Sequence, residues 1–210
     1  GSFKVDQILK TISSVPIWKI HYADVILGRM ICSSIVDSCF SRLSEMFPDF
    51  YYLDSMAFLQ GTSPLLPNPH GGSLVMAKDP KLPGQLKMVK IEAYRKVFIP
   101  ANFYSRHWNL YVVDFECQTI TSFDSLDNEN MHTSMEIEKI IKFWMNGNSG
   151  NFTHRKGRCQ SQIQGSLDCA AHVIVNAQNL SQEGAEQFIT QHNFNSSNEI
   201  RKAILELLKG

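Results

Sequence analysis

The chain has no excess charge of either sign, no long apolar run and no closely spaced set of cysteines. Twenty basic and twenty acidic residues cancel over 210 residues, so the positive field that holds nucleic acid is missing and we expect no nucleic-acid partner. No stretch reaches the roughly 18 apolar residues of a membrane span. We also expect no secretory leader, because no basic segment precedes an apolar one.

The five cysteines are odd in number and lack tight spacing, which argues against a disulfide framework. Free thiols predict a reducing compartment such as the cytosol or nucleus. One of them can then serve in chemistry. The cysteines are at positions 32, 39, 117, 159 and 169.

Hydrophobic periodicity predicts strands in the middle of the chain with helices before and after them. Helices are predicted over 5–12, 24–47, 131–145, 169–179 and 197–208, and strands over 51–59, 96–100, 107–115, 119–124 and 158–163. This arrangement indicates the α+β class, with helices flanking a central, mostly antiparallel sheet. We expect a single monomeric domain over 1–210, in which Gly1-Ser2 is interpreted as a cloning scar.

Residues 61–85 are rich in proline and glycine and predict a long loop. Unstructured loops of more than about 12–15 residues are often functional or mobile. A lid over a cleft and a tolerated surface insertion are both compatible with this composition.

The chemistry-bearing residues are a thiol, an imidazole and a carboxylate in three separate segments. Cys169 follows Asp168 at the predicted start of a helix, where the helix dipole favours a thiolate. His107 begins a predicted strand, and Asp124 ends the strand that a hairpin would pair with it. An imidazole activates a cysteine, and a carboxylate behind the imidazole orients it. His172, one helical turn after Cys169, is the nearest competing imidazole and is interpreted as core.

A zinc site is a further interpretation of His154, Cys159, Cys169 and His172. Their spacing lacks the closely spaced cysteine pair of a structural zinc site. We therefore expect no metal and no cofactor.

These segments resemble the ubiquitin-like-protein-specific cysteine proteases, which include the sentrin/SUMO proteases and bacterial effectors with the adenovirus-protease fold. The run from Ile99 to Ser125 is similar to the family's His-Trp to Asp-Ser strands, and 160–173 resembles its Gln to Asp-Cys segment. The histidine, aspartate and cysteine are separated by 17 and 45 residues, in the family's order.

The resemblance implies a papain-like cysteine peptidase that hydrolyses the bond after the terminal Gly-Gly of a modifier. Cys169 would be the nucleophile, His107 the base and Asp124 its partner. Gln162 would supply the oxyanion amide beside the backbone N–H of Cys169. Trp108 would flank the channel for the glycine tail, where a side chain would block entry.

The chain departs from the family in three places. Ala170 replaces the usual glycine after the nucleophile. One extra residue lies between Gly165 and Cys169, so that Gln164 or Gln160 is an alternative to Gln162. Met30-Ile31 stands where the family has a Trp-Leu pair. Divergent effectors often act on ubiquitin, which favours ubiquitin over SUMO as the partner and a host cell, after secretion, as a further location.

Two other functions are compatible with this resemblance. Some effectors of the clan transfer acetyl groups, in which case Cys169 would carry the acyl group. Phosphates of CoA would then need basic residues, for which Lys78, Lys81, Lys87 and Lys90 are candidates. A module that binds a modifier without cutting it is the third possibility, although the complete set of catalytic residue types argues against it.

Overall fold

The computed structural model describes residues 7–12, 15–55, 74–78, 86–103, 107–127, 131–145, 150–182 and 194–209. Within them the helices are α1 (Lys19–Ile26), α2 (Ser33–Met46), α3 (Met131–Trp144), α4 (Cys169–Gln182) and α5 (Ser197–Lys209). The strands are β1 (Ile8–Ile12), β2 (Val15–Trp18), β3 (Phe50–Tyr52), β4 (Leu74–Lys78), β5 (Leu86–Lys90), β6 (Lys96–Phe103), β7 (His107–Asp114), β8 (Thr119–Phe123) and β9 (Thr153–Lys156).

A five-stranded sheet in the order β3-β6-β7-β8-β9 forms the centre of the fold. Its three middle strands are antiparallel neighbours, whereas β3 and β9 join the two edges in parallel. The predicted α+β class is confirmed. The sheet is mixed because two of its four pairings are parallel.

Both faces of the sheet are covered by helices. Leu110 and Val112 of β7 belong to one buried cluster with residues of α2, α4 and α5. Tyr111 and Val113 belong to a second cluster with α3. The alternation along β7 predicted one buried side, and this was wrong because α3 covers the second face.

The helix that carries Cys169 is almost entirely buried, as its apolar sequence predicts. Its first intrahelical bond runs from the His172 N–H to the Asp168 carbonyl (2.9 Å). The helix packs against β7. The start of α4 therefore faces the sheet rather than solvent.

Two of the predicted N-terminal helices were wrong. Residues 8–12 form β1, which pairs with β2, so inter-strand hydrogen bonds override the local helical spacing. The long helix over 24–47 is divided into α1 and α2. Gly28 adopts a left-handed conformation (φ +71°) and the Arg29 N–H bonds to the Asp24 carbonyl, which is the Schellman ending of a helix.

The remaining differences lie at strand boundaries. The strand predicted over 158–163 was wrong. The strand in this part of the chain is β9, which ends before residue 158 and pairs with β8. The strand predicted over 51–59 is β3, and positions 56–59 lie outside the described residues. Within the predicted loop over 61–85, residues 74–78 instead form β4 and pair with β5; the other positions are outside the described residues.

No helix in the described part of the chain has the length and apolar character needed to cross a bilayer.

We predict that Gly157→Ala destabilises the fold. The Gly157 N–H donates to the Ser122 carbonyl (2.8 Å), and a Cβ at Gly157 would lie 2.2 Å from the ring of the buried Phe123. Forcing a methyl group into such a packed site costs about 1–3 kcal/mol. Urea unfolding of the variant and the parent protein measures this difference.

Phe123→Leu in the same background is the matched control, since the smaller side chain makes room for the methyl group. We expect the double variant to lose less stability than the sum of the two single changes. A Gly157→Ala protein as stable as the parent contradicts the close packing of Phe123.

Candidate active site

The register of β7 and β8 brings His107 and Asp124 together. Leu110 pairs with Phe123, so the residue after β8 lies beside the first residues of β7. His107 Nε2 is 2.7 Å from Asp124 Oδ1. The carboxylate also accepts a hydrogen bond from the Leu126 N–H (2.8 Å), which fixes it from the loop side.

Cys169 reaches this pair from the opposite layer, at the first residue of α4. Its thiol is in hydrogen-bonding contact with the His107 side chain. Backbone N–H groups of Trp108 and Ala170 also contact the sulfur. The residue is buried, with 9% of its surface exposed. The structure thus brings Cys169, His107 and Asp124 into one connected group.

The electrostatics of this group favour a charged pair. Burial lowers the pKa of His107, but hydrogen bonds from its ring to Asp124 and Cys169 outweigh burial and raise the pKa to about 9. Burial raises the pKa of Cys169, whereas contacts with His107 and the Trp108 N–H lower it to a net value below the ordinary thiol pKa. A thiolate beside an imidazolium is the form that these shifts favour.

The other thiols show that the lowered pKa comes from the surroundings. Burial raises the pKa of Cys159 to about 11, and it raises those of Cys32 and Cys39 as well. The charge of Asp114 raises the pKa of the exposed Cys117. All five cysteines lie in described residues and are free, and Cys169 alone has a lowered pKa. This is the pattern of a reactive thiol among structural ones.

Asn109 belongs to the site and was missed in the sequence. It is buried, and in either orientation of its amide the nitrogen lies within 3.5 Å of an Asp124 oxygen. The register explains this contact, since Asn109 is the position opposite Asp124 once Leu110 pairs with Phe123. Counting back from the β7–β8 turn would have identified it.

The structure distinguishes the three candidate glutamines. The Gln160 amide bonds to the backbone of Phe194 through both its oxygen and its nitrogen. Gln164 is exposed, at the corner of a turn in which the Ser166 N–H bonds to the Ile163 carbonyl.

Of the three glutamines, Gln162 bonds both to the residue after Asp124 and to the segment before Cys169. Its side chain accepts a hydrogen bond from Ser125 Oγ (3.0 Å) and donates to the Ser166 carbonyl (3.2 Å). Its backbone N–H also donates to the Ser125 carbonyl (2.9 Å). Ser125 follows Asp124 directly, and Ser166 is three residues before Cys169.

The extra residue before Cys169 is accommodated by this turn. Gly165 has φ +78°, the left-handed conformation that glycine adopts most readily. The turn therefore leaves the Gln164 side chain exposed to solvent before the chain reaches Asp168. Gln162, which precedes the turn, is half-buried.

Trp108 is 3% exposed and belongs to the same buried cluster as Cys169. Its backbone N–H contacts the thiol. The role of Trp108 in a channel for the glycine tail stays a prediction.

Met30 and Ile31, which stand where the family has a Trp-Leu pair, lie in the connection between α1 and α2. Met30 is exposed there, and Ile31 is buried.

Among the described residues, no group of three or more His, Cys, Asp or Glu side chains is arranged to hold a metal ion. His172, which the sequence suggested as core, is buried within α4.

Comparison with known families matches residues 83–206 to the Ulp1 protease family, C-terminal catalytic domain. This match covers more than half of the chain and includes all three residues of the connected group. Comparison with curated protein sequences found no match.

Solved structures with the same fold come from yeast, another fungus and a bacterium. The C-terminal Ulp1 protease domain in complex with Smt3, the yeast ortholog of SUMO, is 18% identical with a TM-score of 0.76, over 99% of this chain and 89% of that one. The catalytic domain of the Chaetomium thermophilum Ulp1-like SUMO protease is 13% identical (TM-score 0.68, 99% and 85%). The Xanthomonas campestris effector XopD bound to ubiquitin is 15% identical (TM-score 0.54, 84% and 90%).

The fold predicted from the resemblance is confirmed by these structures. The family match extends this agreement from the fold to the class of enzyme. The chain belongs to the Ulp1 protease family and is a cysteine protease.

Proposed function

We propose that Cys169, His107 and Asp124 hydrolyse the bond after the terminal Gly-Gly of a ubiquitin-like modifier. The observation that carries this proposal is the position of His107, which contacts both the Asp124 carboxylate and the Cys169 thiol. A nucleophile, a base and an orienting group joined in this way are the components of covalent acyl transfer.

In the proposed acylation, the Cys169 thiolate adds to the carbonyl carbon of the terminal glycine. The oxyanion then collapses, the bond from carbon to the leaving nitrogen breaks, and the His107 imidazolium protonates the departing amine. A thioester between Cys169 and the modifier remains. His107 next removes a proton from water, and the hydroxide adds to the thioester. The carbon–sulfur bond then breaks, which regenerates the thiolate and releases the carboxylic acid, whose proton passes to solvent.

The oxyanion would form between the start of α4 and the loop that carries Gln162. The backbone N–H of Cys169 lies at the first position of α4, where helix N–H groups lack intrahelical acceptors. Ser125 and Ser166 hold the Gln162 amide, and in the proposal its nitrogen is the second donor. An amide held by two neighbours is oriented before the substrate arrives, which is what stabilises a transition-state charge most effectively.

Two modifiers are the leading substrates. Divergence of the chain's motifs favours ubiquitin, and the effector XopD, which has this fold, binds ubiquitin. The solved proteases with the higher TM-scores quoted above act on SUMO. The proposal therefore names a modifier with a Gly-Gly tail as the class, and the choice between the two is made by experiment.

Acetyl transfer receives no support from the family match, which is to proteases. Of the lysines suggested for CoA binding, Lys78 and Lys87 lie on β4 and β5, and Lys90 ends β5. Lys81 and the side chains of Lys78 and Lys87 lie outside the described residues.

A reducing compartment fits the proposed chemistry, because the five thiols are free and Cys169 must remain reduced to react. The cytosol, the nucleus or the interior of a host cell would each provide it.

We predict that Cys169 is alkylated by iodoacetamide at about pH 6, where an ordinary thiol is almost fully protonated. His107→Ala removes the largest contact that lowers the Cys169 pKa, so this pKa should rise. The alkylation rate at pH 6 should then fall about tenfold for each unit by which the pKa rises. A Cys117→Ser background removes the exposed competing thiol. Equal rates with and without His107 would contradict the ion pair.

Turnover should show a bell-shaped pH dependence. It rises as pH passes the lowered pKa of Cys169, and it falls above about pH 9 as His107 loses the proton that the leaving amine needs. A pH profile of turnover that shows one ionisation instead of two would contradict the assignment of its two limbs to Cys169 and His107.

We predict that Gln162→Ala lowers kcat by about 10²–10³-fold, the usual effect of removing one oxyanion donor. Gln164→Ala is the matched control and should be silent, because Gln164 is exposed at the corner of its turn. Single-turnover kinetics on a Gly-Gly peptide substrate measures both. A silent Gln162→Ala with an impaired Gln164→Ala would reverse the assignment.

A panel of ubiquitin and SUMO probes ending in an electrophile identifies the modifier. We expect a covalent adduct with at least one probe, absent in Cys169→Ala, because the thiolate is the attacking atom. If no probe reacts while acetyl-CoA acylates Cys169, acetyl transfer replaces the proposal. Modifier binding without turnover, equal in the parent and Cys169→Ala, would establish a binding module.

A further inference from the structure

A buried ion pair includes the residue that directly precedes Cys169 in the chain. Arg201 of α5 and Asp168, the residue before Cys169, are 2% and 1% exposed. Arg201 Nε donates to Asp168 Oδ1 (2.7 Å), and Ser197 Oγ donates to the same oxygen (3.0 Å). One oxygen of the Asp168 carboxylate therefore binds two side chains of α5.

The guanidinium also donates to three backbone carbonyls, which lie on two segments of the chain. Its Nη1 donates to the carbonyls of Asp24 and Val25 at the end of α1 (3.2 Å each), and its Nη2 donates to the Leu167 carbonyl (3.1 Å). All three nitrogens of Arg201 are thus used. Leu167 and Asp168 are the two residues that lead into Cys169, so this side chain fixes the direction in which the chain enters α4.

Stability alone does not account for such a pair. Moving two charges out of water costs several kcal/mol each, and apolar residues of similar volume often stabilise a core as well or better. The location of the pair suggests a different role. A bare carboxylate next to Cys169 would repel a thiolate, whereas a paired carboxylate presents little net charge to it.

We propose that Arg201 is a positioning residue, which holds the start of α4 in place and cancels the charge of Asp168, the residue directly before Cys169. The inference rests on the proposed role of Cys169 as the nucleophile. It assigns to α5 a part in the chemistry that neither the triad nor the oxyanion donors include. Arg201 acts through Asp168 and Leu167, without touching the reacting atoms.

The test compares the pH dependence of iodoacetamide alkylation at Cys169 in charge variants of the pair. Arg201→Gln leaves Asp168 uncompensated and should move the alkylation midpoint upward by about one pH unit. Asp168→Asn leaves the Arg201 charge uncompensated and should move the midpoint downward. The double variant should return it close to the parent value. A structural role alone would move both single variants in the same direction.

Arg201→Lys separates the charge from the geometry. Lysine keeps the positive charge near Asp168 but cannot span the carbonyls of Val25 and Leu167. We expect an unchanged alkylation midpoint and a kcat about tenfold lower on a Gly-Gly substrate. Lys202→Gln, an exposed neighbour on α5, removes one charge from the same helix and should change neither value.

Circular dichroism and thermal melting establish which variants fold. If Arg201→Gln does not fold, the downward shift in Asp168→Asn and the kcat loss in Arg201→Lys decide the matter. Shifts of equal sign, or none, overturn the inference. These outcomes differ from failure of the proposed function, in which the parent protein itself would show no acidic thiol and no turnover dependent on Cys169.

Discussion

The contact between the imidazole and the carboxylate of the candidate site depends on how β7 pairs with β8. That pairing places the end of one strand beside the start of the next, so an imidazole and a carboxylate 17 residues apart meet at 2.7 Å. The same register accounts for Asn109 beside the carboxylate. A slip of one residue would turn these side chains to opposite faces of the sheet. The buried residues on both faces of β7 oppose such a slip, because it would exchange the contents of two packed cores.

The thiol is supplied from a different layer, which explains its unusual ionisation. Residues of the sheet contribute the His107 ring and the Trp108 N–H, whereas α4 contributes the Ala170 N–H. Alanine in place of the family's glycine leaves this last contact intact, because it involves the backbone only. Burial acts on all of these groups in the direction of the neutral forms, and the hydrogen bonds outweigh it. The site is thus a local exception within an otherwise ordinary core.

The sequence predicted the elements that position the chemistry better than those at the N-terminus. A helix starting at Cys169 and strands starting at His107 and ending near Asp124 were identified because their patterns are long or bounded by clear turn signals. Residues 8–12 were assigned wrongly because their helical spacing was overridden by pairing with β2. The Arg201 pair was not anticipated either, since the sequence gives no indication that positions 24, 168 and 201 lie together. Contacts of this kind are set by tertiary packing, which local patterns do not encode.

The span of those contacts along the chain also constrains when the protein can become active. Arg201 bonds to carbonyls 176 and 177 residues earlier, and Lys10 of β1 bonds to the Leu208 carbonyl of α5. Such distant partners meet late in folding, because closing a long loop costs entropy before any contact compensates it. During synthesis, α5 leaves the ribosome after every other helix described above. A nascent chain that contains Cys169 but not yet a folded α5 therefore carries its thiol in a form that is not yet competent to cut other proteins.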